Sequence, residues 1–181
     1  PGMTVINPCD FNQTKNATLA IAAHYGPVYL RFGRPKVANF TPLNQPFEIG
    51  KGLLLKPGSD VTIIATGHLV WEALQAAEVL SSQSINAEVI NIHTIKPLDR
   101  SMIIESVTKT KCVVTAEEHN VFGGLGESVA GLLAQELPSP QEYVAMQDSF
   151  GESGTPAQLM NKYGLNSEAI VDKTKKVLLR K

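Results

Sequence analysis

The residues of this sequence that are best able to do chemistry lie together in one stretch. It contains two acids, a histidine and three glycines: Glu117, Glu118, His119, Gly123, Gly124 and Gly126. Two carboxylates beside an imidazole could transfer protons or bind a metal ion. Glycines that lead into a helix could hold a phosphate on free backbone N–H groups.

The spacing of the acids and the histidine argues against a self-contained site. Adjacent residues on an extended segment point to opposite faces, so Glu117, Glu118 and His119 do not converge on one ligand. A further ligand would have to come from another strand, and His68 and His93 both follow predicted strands that could end at the same sheet edge. We favour a structural or interface role, in which one glutamate holds the glycine loop by hydrogen bonds, and predict no metal site.

The glycines favour close packing over nucleotide binding. Their spacing is GGxG, which is not the dinucleotide fingerprint GxGxxG, and the P-loop lysine is missing. Glycine lets the backbone turn sharply and lie close to a sheet. A tight connection between a strand and a helix therefore explains the motif better than a phosphate does.

Two arginines form a second candidate site. Arg31 lies on a predicted strand, Val28–Phe32, and Arg34 lies just past its end. The planar guanidinium can pair two N–H groups with the oxygens of a phosphate. A surface salt bridge is the commoner use of such residues, and composition alone does not separate the two uses.

The elements that must position these side chains alternate in type along the second part of the chain. Short apolar strands are predicted at Val61–Thr66, Ala87–Ile92, Cys112–Thr115 and Tyr143–Met146. Helices are predicted at Val70–Ser82, Ser101–Thr108, Glu127–Gln135, Pro156–Tyr163 and Ser167–Leu179. This order predicts an α/β fold with three layers, α/β/α, and a mainly parallel sheet.

The first 34 residues predict a separate strand–helix–strand unit. Asp10 can cap a helix from about Phe11 to His24, whose apolar side contains Leu19. This unit cannot bury both of its faces alone, so we expect it to be the end of a domain whose other strands precede Pro1. Residues 35–46 hold three prolines without periodicity and predict a linker to a domain at 47–181.

Composition excludes some classes of function. The net charge of −1 gives no long-range attraction for nucleic acid, and no run of 18 apolar residues predicts a membrane span. Cys9 and Cys112 are far apart in the sequence. We therefore expect two free thiols and no disulfide, which predicts a reducing, cytoplasmic location.

In their order, the motifs resemble the transketolase group of thiamine-diphosphate enzymes. The motifs similar to the end of its pyrimidine-binding domain are Pro1-Gly2-Met3, Val5, Pro8, Asp10, Gly26–Arg31 and Arg34. Those similar to its carboxyl-terminal domain are Gly50-Lys51-Gly52, Val61–Gly67, Lys96–Asp99, Val114–His119 and Gly123–Gly126. The forms of the last two most resemble transketolase in its split, two-subunit form, and this chain would be the end of the second subunit.

The resemblance implies a transferase of the pentose phosphate pathway. It would transfer a two-carbon ketol unit between sugar phosphates with thiamine diphosphate and a divalent cation such as Mg²⁺. The family's catalytic and cofactor-binding residues would lie before Pro1, so this chain alone would bind no cofactor and be inactive. The partners implied are an N-terminal transketolase subunit and a second copy in a homodimer.

The resemblance carries few site residues onto this chain. Arg34 matches the arginine that binds the substrate phosphate, and Arg31 matches an arginine present in several relatives. Three alternatives stay open: a 2-oxoacid dehydrogenase β subunit, a deoxyxylulose-phosphate synthase, and a non-catalytic dimerisation module. The first of these would have less need of Arg34 as a phosphate ligand.

Overall fold

Helices and strands alternate through most of the chain, and a computed structural model describes all 181 residues. The strands are β1 (Thr4–Ile6), β2 (Val28–Leu30), β3 (Leu53–Lys56), β4 (Val61–Ala65), β5 (Ala87–Asn91), β6 (Thr94–Lys96), β7 (Val113–Asn120) and β8 (Gln141–Met146). The helices are α1 (Phe11–Ala22), α2 (Leu69–Ser82), α3 (Arg100–Thr110), α4 (Leu125–Glu136), α5 (Pro156–Lys162) and α6 (Ser167–Leu178). No helix combines the length and the apolar character needed to cross a bilayer.

The main sheet has five strands in the order β3-β5-β4-β7-β8. The last four of these are mutually parallel, and β3 runs antiparallel to β5 at the edge. Every residue of β4 and β5 is buried. Strands buried on both faces need helices on both sides of the sheet.

Two apolar clusters lie on opposite faces of this sheet. One packs α2 and α6 against it through residues such as Leu69, Leu80 and Ile170. The other packs α3 and α4 through residues such as Ile103 and Leu133. The predicted three-layer α/β/α fold with a mainly parallel sheet is therefore confirmed.

A small second sheet has the order β2-β1-β6. Strand β1 is parallel to β2 and antiparallel to β6, so residues 1–34 are joined to the rest of the chain by backbone pairing. The sequence did not predict β6, since its three residues follow His93 without an apolar pattern of their own. The buried side of α1 contains Gln13 and Ala17, whereas Leu19, which we placed on the apolar side, is 63% exposed.

Residues 35–46 contain no helix or strand, yet they are fixed against α1. The Asp10 carboxylate caps α1 by accepting from Gln13 N and also accepts from Phe40 N, Thr41 N and Thr41 Oγ1, at 2.7–2.9 Å. The Asn12 Nδ2 group donates to the Thr41 carbonyl. One carboxylate thus links the start of α1 to the segment that leads into the main sheet.

Candidate functional site

The carboxyl ends of β2, β4 and β7 meet where the small sheet joins the main one. His68, which follows β4, places its Nδ1 atom 3.1 Å from Glu118 Oε2 on β7. Arg31, which follows β2, donates from Nη2 to the Glu118 carbonyl oxygen. Two residues that are far apart in the sequence therefore converge on Glu118.

The surroundings of Glu118 stabilise its carboxylate. The hydrogen bond from His68 lowers the pKa of Glu118, burial opposes that effect, and the charges of His68 and Arg31 lower the pKa further. Because the net direction is downward, Glu118 is ionised at neutral pH. It can therefore hold a donor firmly in one orientation.

Glu117 points to the opposite face of β7 and contacts the glycine loop. Its two carboxylate oxygens accept from Leu125 N and Gly126 N, each at 2.7 Å. Burial raises the pKa of Glu117, and these two hydrogen bonds lower it less than burial raises it. This is the contact that the sequence predicts for one glutamate of the motif, at the start of α4.

His119 joins neither contact. It is exposed, and its Nδ1 lies 2.8 Å from the carbonyl oxygen of its neighbour Asn120. The three residues of the motif therefore diverge: one binds the glycine loop, one binds His68, and one faces solvent. No three histidine, cysteine, aspartate or glutamate side chains of the chain lie close enough together to hold a metal ion.

Two of the three glycines of the motif lie where a side chain would collide. A Cβ atom on Gly126 would lie 2.5 Å from the Tyr143 ring, and one on Gly124 would lie 2.2 Å from Glu117 Oε2. Gly123 has a φ of +76°, which side chains rarely adopt, but its surroundings are open. Helix α4 therefore begins in direct contact with β7 and β8.

His93 lies near this junction but does not contact His68 or Glu118 through its side chain. Its ring packs on Phe47 at 4.1 Å between centroids, and its Nδ1 lies 3.1 Å from Thr94 Oγ1. Its carbonyl oxygen accepts from Asn7 N on the small sheet. Burial lowers the pKa of His93 to about 4, and the charge of Asp99 opposes this shift.

The lowered pKa of His93 predicts a specific acid sensitivity. The folded state disfavours the protonated ring. The free energy of unfolding therefore keeps its full value above the unfolded pKa of about 6.5 and decreases as the pH falls towards 4. The expected loss is about 3 kcal/mol. Urea unfolding at several pH values between 7 and 4 should show a steeper decline for the native chain than for His93→Gln. Equal slopes for the two proteins would contradict this expectation.

Arg34 lies in a groove of about 470 Å³ between the start of α1 and residues 32–37. The groove also contains Lys36 and the ring of His68. Arg34 is exposed, and it takes part in none of the ion pairs of the chain. Asp10 also lines the groove, but its carboxylate already accepts four hydrogen bonds.

A second, larger groove of about 610 Å³ lies on the other side of His68. Its walls come from residues 35–38, the start of α2, the end of β7 and α5. Trp71 and Tyr163 provide aromatic surface there. His68 and residues 35–37 line both grooves.

Sequence reasoning found Arg31, Arg34 and the Glu-Glu-His motif but missed two of their neighbours. Gly33 lies against the His68 ring, where a Cβ atom would come within 2.2 Å of Cε1. Asn7 lies against Gly67, where a Cβ atom would come within 2.6 Å of Asn7 Nδ2. Both contacts join distant parts of the chain, and neither leaves a local pattern in the sequence.

Comparison with known proteins decides the family. Residues 50–170 match the family model described as "Transketolase, C-terminal domain". The chain belongs to the transketolase family. The resemblance seen in the order of the motifs is thus confirmed, and the matched region is the carboxyl-terminal domain of that family.

Similar proteins include a transketolase subunit and a putative C-terminal section of a transketolase. The chain is 46% identical, over its full length, to 56% of the "6-deoxy-6-sulfo-D-fructose transketolase subunit SqwH" of Clostridium sp. (strain MSTE9). It is 42% identical, over 94% of its length, to 54% of a "Putative transketolase C-terminal section" of Methanocaldococcus jannaschii. The chain thus spans about half the length of the curated relatives it matches.

A solved structure shares the fold closely. It is described as "Split gene transketolase, inactive beta4 tetramer", and it is similar to this chain with a TM-score of 0.96 at 44% identity. The match covers 99% of this chain and 59% of the solved one. The similarity extends over the small sheet as well as the main one.

The family implies thiamine diphosphate, and this chain has no cluster of acids that would hold its divalent cation. Thiamine diphosphate is held in part through a divalent cation, which needs several oxygen ligands grouped around it. The chain contains no group of three or more histidine, cysteine, aspartate or glutamate side chains that could hold a metal ion. The groove around Arg34 instead offers cationic groups, which suit an anion.

Proposed function

We propose that this chain is the carboxyl-terminal part of a two-part transketolase and supports ketol transfer between sugar phosphates. The observation that carries the proposal is the match to a transketolase subunit over the full length of the chain. The reaction centre, with thiamine diphosphate and Mg²⁺, belongs to the N-terminal partner and to the part of its relatives' length that this chain does not span. The chain alone is inactive.

Arg34 binds the phosphate group of the substrate in this proposal. Three observations support the role: Arg34 is exposed, it has no acid partner, and it lines a groove in which Lys36 adds a second cation. A bidentate guanidinium–phosphate pair suits this position. Arg31 stays a predicted second phosphate ligand, although one of its N–H groups is already used by the Glu118 carbonyl.

The Glu-Glu-His motif and the glycine loop have structural tasks in the same proposal. Glu117 secures the start of α4, and Gly124 and Gly126 allow α4 to contact the sheet. Glu118 secures His68. The exposed His119 and Gly123 lie on the surface of this loop, where a partner subunit could contact them.

The expected assembly is a homodimer of complete units, each with an N-terminal subunit. The units 1–34, 35–46 and 47–181 are proposed as the end of the pyrimidine-binding domain, a linker and the carboxyl-terminal domain. Cys9 and Cys112 are both free and buried, which suits a cytoplasmic enzyme. The pentose phosphate pathway is the proposed setting.

Reconstitution tests this function. The chain, a longer chain that restores the region its relatives have and this chain does not span, and that longer chain mixed with the N-terminal partner are each assayed with thiamine diphosphate, Mg²⁺, a ketose phosphate donor and ribose 5-phosphate. We expect ketol transfer by the mixture alone. A folded complex that shows no transfer would contradict the proposal.

The same assay separates the alternatives. A deoxyxylulose-phosphate synthase or a 2-oxoacid dehydrogenase would release CO₂ from a 2-oxoacid such as pyruvate and leave the ketose phosphate unchanged. A dimerisation module would associate with its partner without either reaction. Measuring CO₂ release, ketol transfer and molecular mass on one sample therefore distinguishes the three outcomes.

A further inference from the structure

A closed series of contacts begins and ends in the segment that carries both arginines. Arg31 donates to the Glu118 carbonyl, the Glu118 carboxylate holds His68, and the His68 ring lies against Gly33. Arg34 follows Gly33 directly and lines the same groove as His68. Arg34 therefore follows a glycine that lies against His68, which follows strand β4 of the main sheet.

The contact between His68 and Gly33 leaves no spare room. An added Cβ atom on Gly33 would lie 2.2 Å from His68 Cε1 and 2.6 Å from Nε2, which no pair of nonbonded atoms tolerates. The φ angle of Gly33 is not in the left-handed region. This glycine is thus required by the neighbouring ring and not by the conformation of the chain.

The ring itself is held in place from the other side. Its Nδ1 atom is 3.1 Å from Glu118 Oε2, and only 17% of the His68 side chain is exposed. Glu118 belongs to β7, which pairs with β4 at the centre of the main sheet. His68 follows β4 by three residues, so both partners are fixed by the same two strands.

We propose that His68 and Glu118 are positioning residues for the substrate phosphate, because they fix the Gly33 turn and so direct Arg34 into its groove. This inference rests on the proposed role of Arg34. Glu118 of the Glu-Glu-His motif would then affect substrate binding indirectly, because it holds His68 in place. Glu118 and His68 do not contact the substrate themselves.

The physical basis is the cost of ordering a long side chain. If the turn at Gly33 were not held, Arg34 would adopt several orientations. Phosphate binding would then have to select one of them. Fixing the turn in advance removes that cost for phosphorylated substrates. A substrate without a phosphate gains nothing from it, which separates this effect from a general loss of structure.

The test uses the complete two-part enzyme and the variants His68→Ala, Glu118→Ala and Gly33→Ala. We measure kcat and KM for ribose 5-phosphate and for ribose, and the inhibition constant of inorganic phosphate. We expect each variant to raise the KM for ribose 5-phosphate and the inhibition constant of phosphate by roughly two- to tenfold, the range for ordering one side chain. The KM for ribose and the kcat should each stay within about twofold of the native values. This change is smaller than the one expected when a single ordered side chain becomes mobile.

Two further variants act as controls. Glu118→Gln keeps an acceptor for His68 and should behave like the native enzyme. His119→Ala removes the neighbouring histidine, whose side chain hydrogen-bonds to the Asn120 carbonyl and not to His68, and should also leave both constants unchanged. Thermal unfolding of every variant shows whether the fold is intact, and Gly33→Ala retains both His68 and Glu118 in case Glu118→Ala does not fold.

The outcomes distinguish this inference from the function on which it rests. The inference is overturned if His68→Ala and Gly33→Ala leave the phosphate-dependent constants unchanged while Arg34→Ala raises them. It is also overturned if the KM for ribose rises by the same factor, since that would indicate a general structural effect. If Arg34→Ala has no effect either, the proposed phosphate site itself is wrong.

Discussion

Replacing Gly124 with valine is expected to lower the melting temperature of the chain by roughly 6–12 °C, without changing the chemistry directly. Gly124 precedes α4 with φ of −102° and ψ of −158°, angles that any residue adopts. The obstacle is steric, because a Cβ atom would lie 2.2 Å from Glu117 Oε2. Relief requires that the Glu117 carboxylate move.

Moving Glu117 breaks two hydrogen bonds at once. Its carboxylate accepts from Leu125 N and Gly126 N, and only 3% of the residue is exposed. Each buried polar group that loses its partner costs about 1–3 kcal/mol, so the total is about 3 kcal/mol or more. At 2–4 °C for each kcal/mol in a domain of this size, this gives the expected shift.

Gly131→Val is the matched control. Gly131 lies within α4, where an added Cβ meets nothing within 4 Å, and valine is a slightly better helix former than glycine. Its melting temperature, measured by circular dichroism, should equal that of the native chain or exceed it. A Gly124→Val protein as stable as the native chain would show that Glu117 does not secure this loop.

Arg34→Ala should raise the KM for phosphorylated substrates of the complete enzyme by at least about tenfold. Loss of a charge-assisted hydrogen bond costs roughly 1.5–3 kcal/mol, and 1.4 kcal/mol corresponds to a factor of ten. Since Arg34 has no ion-pair partner in the chain, its loss should hardly change the melting temperature. Steady-state kinetics with a sugar phosphate and with the same sugar lacking the phosphate measure the effect.

Two variants sharpen that result. Arg34→Lys keeps the charge but loses the planar pair of donors, so its KM should lie between the native and alanine values. Arg100→Ala removes an exposed arginine that pairs with Glu136 far along the chain and should leave the KM unchanged. An Arg34→Ala enzyme with the native KM for the phosphorylated sugar would remove Arg34 from the substrate site.

The fold could be predicted from the sequence because its signals are local. The run Val61–Ala65 is apolar throughout, which indicates a strand buried on both faces, and helices with one apolar side follow each such strand. Asp10, Asp99 and Asn166 each stand just before a helix and cap it. Strand β6 was missed because its pairing with β1 spans nearly 90 residues and its own sequence has no strand pattern.

The candidate site was only partly predictable, because some of its contacts join residues that are far apart in the sequence. The divergence of Glu117, Glu118 and His119 follows from the alternation of side chains along a strand, and the contacts of Glu117 and Glu118 lie on opposite faces. The pairing of Glu118 with His68 depends on how β4 and β7 align. The sequence placed His68 after a strand, but it could not supply that register.

The central claim is that this chain supports a reaction centre completed by another part of the enzyme. Calorimetric titration of the chain alone with thiamine diphosphate and Mg²⁺ tests this most directly, followed by the same titration of the complex of the N-terminal partner with a longer chain that restores the region its relatives have and this chain does not span. The account predicts no saturable binding to the chain alone and saturable binding to the complex. Stoichiometric cofactor binding by the chain alone would contradict it.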